Sequence, residues 1–271
     1  MPAMKFSDNG QVKIAYQERG RGTPVLLIAG YGARSAHWGQ EFPDRLAREY
    51  RVISFDNRGT GESDKPDEAW TMRDMADDAA RVIAAAGATG AHIVGISMGG
   101  MIAQELALTH PESALTLTLI ATKAGGAGDT PPAPAVHDAF FNPDRSQGVK
   151  KMLEGMWRTI CTPGFMDAPG RLEGLFKLDL EKPTPPRTLQ TQRQAIETSD
   201  FSSRLPQLTV PTLIITGRED RLTPPANSRR LAGLIPNSKL VQIEGCAHMI
   251  PLEKPQELAD TILRFLAGHS R

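Results

Sequence analysis

Short runs of apolar and β-branched residues recur along the chain. Most of them are almost continuously apolar, as expected for parallel strands that are buried on both faces. Each run is therefore predicted to be a strand. The runs are VKIAY (12–16), PVLLIAG (24–30), RVISFD (51–56), AHIVGIS (91–97), LTLTLIA (115–121), PTLIITG (211–217) and KLVQIEG (239–245).

Segments with a helical period lie between several of these runs. They begin at Met72, Met98 and Pro255, and apolar residues recur in them at a spacing of three or four. Alternation of strand and helix predicts an α/β fold with a mostly parallel sheet flanked by helices on both sides. Ligands of such sheets bind beyond the carboxyl ends of the strands, so functional residues are expected in the loops there.

The alternation is interrupted once. The Gly/Pro-rich stretch GGAGDTPPAPA follows the run that ends at Ala121, and no buried strand is evident before residue 211. The intervening segments SQGVKKMLEGMWRTI and RTLQTQRQAIETSDF have helical character and are divided by PTPP at 183–186. We therefore predict a core domain of residues 1–124 and 207–271, and a helical insertion of residues 125–206, called the insertion below.

Composition excludes several classes of function. The chain has 271 residues, 40% of them hydrophobic, and 31 basic residues balance 31 acidic ones. No broad basic field is present to bind nucleic acid or anionic lipid. The absence of a signal-peptide pattern, of a membrane-spanning apolar run and of a metal-ligand cysteine spacing predicts a cytoplasmic protein without membrane insertion. Cys246 is interpreted as a small buried apolar residue, and the oligomeric state is left open.

The segment Gly95-Ile96-Ser97-Met98-Gly99-Gly100 carries the strongest chemical signal. It ends a predicted strand and begins a predicted helix, which is the context of a nucleophile elbow. A strained strand-to-helix turn exposes the serine hydroxyl, and the helix directs its positive end towards it. Ser97 is therefore the candidate nucleophile.

A serine hydroxyl needs a base within hydrogen-bond reach, and the base needs an orienting group. His248 is the best placed of the six histidines because it follows the last strand in the loop GCAHMIPLEKP. The others are assigned no catalytic role: they lie within a strand, at a helix end, near the first strand–helix junction, in the insertion and in the C-terminal tail (His92, His110, His37, His137 and His269).

The orienting acid is expected between the serine and the histidine in chain order. Asp220 in GREDRLTPP follows a predicted strand and is preferred over its neighbour Glu219. An acyl-transfer site also needs donors for the oxyanion. The backbone N–H of Met98 is one candidate, and the N–H of Tyr31 in the loop Ala29–Gly32, called the oxyanion loop below, is the other.

Five stretches together resemble the α/β-hydrolase superfamily over essentially the whole chain: AGYG, DNRGTGESD (56–64), GISMGG, PTLIITGREDRLTPP and GCAHMIPLEKP. The resemblance, closest to a carboxylesterase and enol-lactonase-like branch, implies an α/β-hydrolase fold in which the insertion is a helical cap. It also implies that Asp56 and Arg58 hold a structural turn. Many members have a histidine where this chain has Ala29; that histidine supports the oxyanion loop, so its replacement concerns the rigidity of the loop.

The expected function is that of a serine carboxylesterase-type hydrolase acting on a small-molecule ester or lactone, with no metal and no organic cofactor. A serine at position 97 argues against haloalkane dehalogenases and epoxide hydrolases, and the residues after it make a haloperoxidase less favoured. An enol-lactonase, a carbon–carbon-bond hydrolase and a ligand receptor with a hydrolase-like pocket remain alternatives.

Four residues are candidates for substrate binding: Gly30, Trp38, Met156 and Trp157. Many apolar residues of the insertion could either pack it onto the core or line an acyl pocket. Its basic residues are expected mainly in solvent. The apolar residues in question are Met152, Leu153, Met156, Trp157, Ile160, Phe165, Met166, Leu172, Leu175, Phe176 and Leu178, and the basic ones are Lys150, Lys151, Arg158 and Arg171.

Overall fold

The computed structural model describes residues 3–269. Its strands form one eight-stranded sheet in the order β1-β2-β4-β3-β5-β6-β7-β8. The strands are β1 (Lys5–Asp8), β2 (Lys13–Arg19), β3 (Pro24–Ile28), β4 (Arg51–Phe55), β5 (Ala91–Ile96), β6 (Ala114–Ile120), β7 (Thr212–Gly217) and β8 (Ser238–Ile243).

The sheet is mostly parallel, as predicted. Only β1 and β2 run antiparallel to their neighbours, and β3 to β8 are all parallel. The carboxyl ends of these six strands therefore emerge along one edge. The segments after β3, β5, β7 and β8 carry the candidate catalytic and oxyanion residues, so the topology brings them to the same edge.

The helices cover both faces of the sheet or form the insertion. They are α1 (Glu41–Leu46), α2 (Met72–Ala85), α3 (Met98–Thr109), α4 (Pro134–Phe141), α5 (Val149–Ile160), α6 (Pro163–Met166), α7 (Arg171–Glu181), α8 (Pro186–Thr198), α9 (Pro225–Leu234), α10 (Ile250–Glu253) and α11 (Pro255–Ala267).

Alternation along the strands divides the core into two apolar layers. In β3, Leu26 and Ile28 join the cluster formed with α2, α3 and α9, whereas Val25 and Leu27 join the cluster formed with α1 and α11. Successive strand residues point to opposite faces, so a continuously apolar strand contributes side chains to both layers. This explains why the strand sequences lack a polar face.

Helix α2 shows how local signals set an element boundary. Its N-cap Thr71 accepts a hydrogen bond from the Asp74 N–H, and the Asp74 carboxylate accepts one from the Thr71 N–H at 2.7 Å. This capping box satisfies two backbone donors that the first turn leaves unpaired. The buried residues of the helix then recur at helical spacing and face the sheet.

The insertion begins and ends at one place on the core. It connects β6 to its parallel neighbour β7 and contains α4 to α8. Gly125 forms an isolated bridge with Asp200, and the Phe201 N–H donates to the Ala124 carbonyl at 2.9 Å. A separate apolar cluster lies within the insertion and includes Leu222 of the core. The division into a core domain and an insertion stays a prediction, and its outermost residues 1, 2, 270 and 271 lie outside the described ones.

Four strands and helices of the core were not predicted. Strand β1 (KFSD) is short and largely polar, and α1, α9 and α10 are short helices of six, ten and four residues. Elsewhere the predicted strands start or end within a few residues of the observed ones. In the part of the chain that the structure covers, no helix combines the length and apolar character needed to cross a bilayer.

Candidate active site

Ser97 lies between β5 and α3 in a backbone conformation that non-glycine residues rarely adopt. Its φ is 56° and its ψ is −123°. The strain of such a conformation costs about 1–3 kcal/mol and persists where the surroundings enforce it. Here the Ser97 N–H donates to the Ile120 carbonyl at 2.9 Å, and its carbonyl accepts from the Thr122 hydroxyl at 2.7 Å. The neighbouring strand β6 and the residues after it therefore hold the turn.

Close packing around this turn requires glycine at Gly99. A Cβ there would overlap the Ile28 carbonyl at the end of β3. The first turn of α3 can therefore approach the sheet closely enough to leave Ser97 at the edge of the strands.

Asp220 and His248 form a buried pair. The Asp220 Oδ2 lies 2.7 Å from the His248 Nδ1, and both side chains are almost fully buried. The other carboxylate oxygen accepts the N–H groups of Leu222 and Thr223 at 2.9 and 2.8 Å. The neighbouring Glu219 is exposed. The carboxylate is therefore fixed by the backbone, and it can orient the imidazole with its Nε2 left for a second partner.

Ser97 and His248 line the same cavity. Within residues 3–269, no hydrogen bond joins the Ser97 hydroxyl to the His248 ring. Such bonds are often long without substrate and tighten when it binds. The structure thus brings the three predicted residues to one place, and their roles remain predictions.

The oxyanion loop packs directly against Ser97. A Cβ at Gly30 would lie 3.1 Å from the Ser97 Cβ, so a larger residue would push the loop and the serine apart. Among the described residues, the N–H groups of Tyr31 and Met98 have no acceptor. The Met98 N–H is free because it belongs to the first turn of α3. Both groups are available to an anionic oxygen.

A cavity of about 660 Å³ opens above Ser97. Helix α5 supplies much of its apolar wall, including Met152, Met156 and Trp157. Trp38 also lines the cavity, although it is almost fully buried and stacks on Phe42. All four predicted substrate-binding residues therefore border the cavity: Gly30, Trp38, Met156 and Trp157.

Most of the remaining apolar residues of the insertion divide between two roles. Leu153 and Ile160 of α5 also line the cavity, and Ile160 belongs to the internal cluster of the insertion as well. The other members of that cluster among these remaining residues come from α6 and α7 (Phe165, Met166, Leu172, Leu175 and Leu178), whereas the half-buried Phe176 is part of neither the cavity wall nor the cluster. The basic residues named above are exposed. Instead, Arg145, Lys182 and Arg193 line the cavity, the first two from loops and the third from helix α8.

One polar cluster at the cavity was not predicted. Asp179 of α7 lies 3.1 Å from the His37 Nε2 and accepts the Trp157 Nε1–H at 2.6 Å. It joins the core to two helices of the insertion. His37 and Asp179 are 142 positions apart, and nothing local in the sequence indicates their contact.

The loop that carries His248 is also fastened to the insertion. The Ile160 carbonyl, at the end of α5, accepts the N–H groups of His248 and Met249 at 3.0 and 3.2 Å. The Glu253 carboxylate accepts from the Ala247 N–H on one oxygen and from Thr162 on the other. These contacts fix the histidine backbone from the side of the insertion.

Asp56 and Arg58 occupy structural positions. One oxygen of Asp56 accepts the Ser35 N–H at 2.7 Å, and the other accepts the Glu62 N–H at 2.8 Å. Arg58 forms two hydrogen bonds with Asp78 of α2. Neither residue lines the cavity, so both connect loops and helices of the core.

Among the described residues, neither the cysteines nor the side chains of types that can ligate metals form a further catalytic or metal site. Cys161 and Cys246 are buried, and burial raises the pKa of both thiols, that of Cys246 to about 12. A thiol with such a pKa stays protonated and is a poor nucleophile. No group of three or more His, Cys, Asp or Glu residues within the described range is placed to hold a metal ion.

Comparison with known proteins places these features in context. A family model described as "Alpha/beta hydrolase family" matches residues 25–261. A protein of Mycobacterium tuberculosis, provisionally named a non-heme bromoperoxidase, is 30% identical over 95% of this chain and 98% of its own length. A protein of Azorhizobium caulinodans, provisionally named a carbamate hydrolase, is 31% identical over 97% of this chain and 98% of its own length.

A solved structure of similar shape is a thermophilic esterase from Thermogutta terrifontis with malate bound. It superposes with a TM-score of 0.83 at 28% identity, and the match covers 100% of both chains.

Proposed function

Because the chain belongs to the α/β-hydrolase family, we propose that it is a serine hydrolase that cleaves carboxylic esters of small to medium size through an acyl-enzyme intermediate. The observation that carries this proposal is the buried Asp220–His248 pair, which shares a cavity with a serine held in a strained strand-to-helix turn. An esterase of similar structure supports the choice of ester over other acyl compounds.

In the first half of the proposed reaction, the Ser97 Oγ attacks the ester carbonyl carbon while its proton passes to the His248 Nε2. Asp220 holds the tautomer with Nδ1 protonated and stabilises the imidazolium that forms. The carbonyl oxygen, now negative, accepts hydrogen bonds from the N–H groups of Tyr31 and Met98. Collapse of the tetrahedral intermediate breaks the bond to the alcohol oxygen, which takes the proton from His248.

In the second half, a water molecule gives a proton to His248 and attacks the acyl carbon. The bond to Ser97 then breaks, the serine recovers its proton, and the carboxylic acid leaves. The apolar wall of α5 suits an acyl or alcohol group without charge, since apolar surface favours apolar ligands.

Labelling of the nucleophile tests this proposal directly. We expect the protein to hydrolyse p-nitrophenyl butyrate and to gain the mass of a fluorophosphonate on Ser97. Ser97→Ala should abolish both while keeping the circular dichroism of the folded protein. Ser113→Ala is the matched control, because Ser113 is buried at the opposite end of β6, and it should retain both properties. Ser97→Ala keeping more than a few per cent of the wild-type kcat would refute the assignment.

A substrate panel then separates the alternatives that share the same residues. It contains p-nitrophenyl esters of graded chain length, lactones, vinylogous diketones and carbamates, together with a bromide-dependent halogenation assay. Highest kcat/KM on a lactone or a diketone would favour an enol-lactonase or a carbon–carbon-bond hydrolase. Binding without turnover of any member would favour the ligand receptor.

A further inference from the structure

The oxyanion loop continues into a tight turn whose backbone directions are set by hydrogen bonds. The Ala33 N–H donates to the Gly30 carbonyl at 3.2 Å, with Tyr31 and Gly32 at the centre of the turn. In a trans peptide the C=O and the following N–H point in opposite directions. The bond that fixes the Gly30 carbonyl therefore also fixes the direction of the Tyr31 N–H, one of the two candidate oxyanion donors.

Both backbone groups of Gly32 are bound by the insertion. Its N–H donates to the Gln192 Oε1 of α8 at 2.8 Å, and its carbonyl accepts from the Thr184 hydroxyl at 2.8 Å. Gln192 is completely buried, whereas Thr184 is half-buried. Gly32 has a φ of +65°, and a Cβ there would lie 2.9 Å from the Leu189 side chain of the same helix. The second half of the turn is thus enclosed by residues of the insertion.

The core provides less support for this loop. The Asn57 side chain donates to the Ala29 carbonyl at 3.0 Å, and Ala29 has no polar side-chain group of its own. Gly30 rests against Ser97 by packing alone. The position of the turn relative to Ser97 therefore depends on Asn57 at its start and on Gln192 and Thr184 at its end.

We propose that Gln192 and Thr184 are positioning residues that hold the oxyanion loop where the Tyr31 N–H can reach the oxyanion. The insertion then completes the oxyanion hole as well as covering the cavity. This inference rests on the proposed function, because it assigns the Tyr31 N–H to the oxyanion. It makes the reaction rate depend on two side chains that touch neither the substrate carbonyl nor the catalytic serine.

Loss of either hydrogen bond should reduce transition-state stabilisation. Removing one oxyanion donor outright costs about 10²–10³ in kcat, and a displacement of about 1 Å in a reacting group can cost about 10². For Thr184→Val and Gln192→Met we therefore expect a fall in kcat of about 10- to 100-fold. KM should change little. Thr184→Ser keeps the hydroxyl and should keep most of the rate.

A control on α8, the helix that carries Gln192, distinguishes a positioning role from a merely structural one. The Thr188 hydroxyl of α8 donates to the Gly59 carbonyl at 3.2 Å, and Thr188 does not line the cavity. Thr188→Val thus removes a similar bond between the insertion and the core away from the oxyanion loop. It should lower the melting temperature about as much as Thr184→Val while leaving kcat per folded molecule unchanged.

The experiment measures kcat and KM for p-nitrophenyl butyrate, with fluorophosphonate titration of Ser97 to count active molecules. It also measures the inhibition constant of an alkyl trifluoromethyl ketone, which adds to the serine and places a negative oxygen in the oxyanion hole. We expect this constant to rise by the same factor as kcat/KM falls in Thr184→Val and Gln192→Met, and to stay at the wild-type value in Thr188→Val.

The outcomes separate this inference from the proposed function. Absence of both turnover and labelling in the wild-type protein would overturn the two together. An active wild-type protein in which Thr184→Val behaves like Thr188→Val would overturn the positioning role alone. If Gln192→Met does not fold, the comparison of Val and Ser at position 184 decides.

Discussion

Replacement of Asp220 by asparagine tests the orientation of the proposed base. In the native arrangement one carboxylate oxygen accepts two backbone N–H groups and the other accepts the His248 Nδ1–H at 2.7 Å. An asparagine must direct its carbonyl oxygen towards the two N–H groups, because its NH₂ group cannot accept them. The NH₂ group then faces Nδ1, which can take this contact only as an acceptor.

The proton of the neutral imidazole is thereby moved to Nε2, where it prevents acceptance of the Ser97 proton. The analogous change in another serine triad lowers kcat by about 10⁴. At about 1.36 kcal/mol per factor of ten this is about 5 kcal/mol in the activation barrier. Because the two backbone hydrogen bonds of the loop are retained, Asp220→Asn should fold as the wild-type protein does.

The assay is kcat for p-nitrophenyl butyrate, normalised to the folded fraction by circular dichroism. Glu219→Gln is the control, since Glu219 is the exposed neighbour, and it should keep a kcat close to that of the wild type. The orientation mechanism would be refuted if Asp220→Asn kept more than a tenth of the wild-type rate, or if Glu219→Gln caused the larger loss.

Three further predictions follow from other parts of the structure. Met156→Ala should lower kcat/KM for the octanoyl p-nitrophenyl ester by up to about 100-fold and leave that for the acetyl ester nearly unchanged. Met166→Ala is the control, because Met166 is buried and does not line the cavity. Equal losses on both esters, or the same change of selectivity in Met166→Ala, would contradict a pocket role for Met156. Burial lowers the pKa of His92 from 6.5 to about 4, so below pH 6.5 the unfolded chain takes up a proton at this residue more readily than the folded one. The free energy of unfolding should therefore fall by about 2–3 kcal/mol as the pH drops from 6.5 to 4. Urea titrations should show His92→Gln losing most of that slope, and an unchanged slope would assign the acid sensitivity elsewhere. Gly155→Ala, in the interior of α5 with open space around it, should stabilise the protein by about 0.5–1 kcal/mol; a lower melting temperature would contradict this.

The layers of the fold are predictable because they depend on local periodicity. A strand such as β3 is apolar at nearly every position since both faces are covered, and the apolar residues of a helix such as α3 recur at helical spacing. Strand β1 could not be predicted in this way, because it is an edge strand of four largely polar residues. It is stabilised by pairing with β2 and not by its own composition.

The candidate site is predictable where chemistry is concentrated in one short segment. Ser97 and His248 stand out because each follows a strand within a distinctive loop. Contacts made by the insertion lack such a signal: Gln192 meets Gly32 across 160 positions, and the side chains involved are ordinary for a helix surface. Only the folded chain shows which of them turns inward.

The bridge between Gly125 and Asp200 has a consequence for how such proteins diversify. Since the two ends of the insertion meet there, the intervening helices could be exchanged as a cassette for a segment of another length with little disturbance of the sheet. Loop-closure entropy changes slowly with length, so the core tolerates the exchange, but a new cassette must bring its own partners for the loops around Ser97. Substrate preference and catalytic activity would then be inherited together. Recombination at this bridge would yield active enzymes only when the new segment supplies both a substrate pocket and partners for these loops.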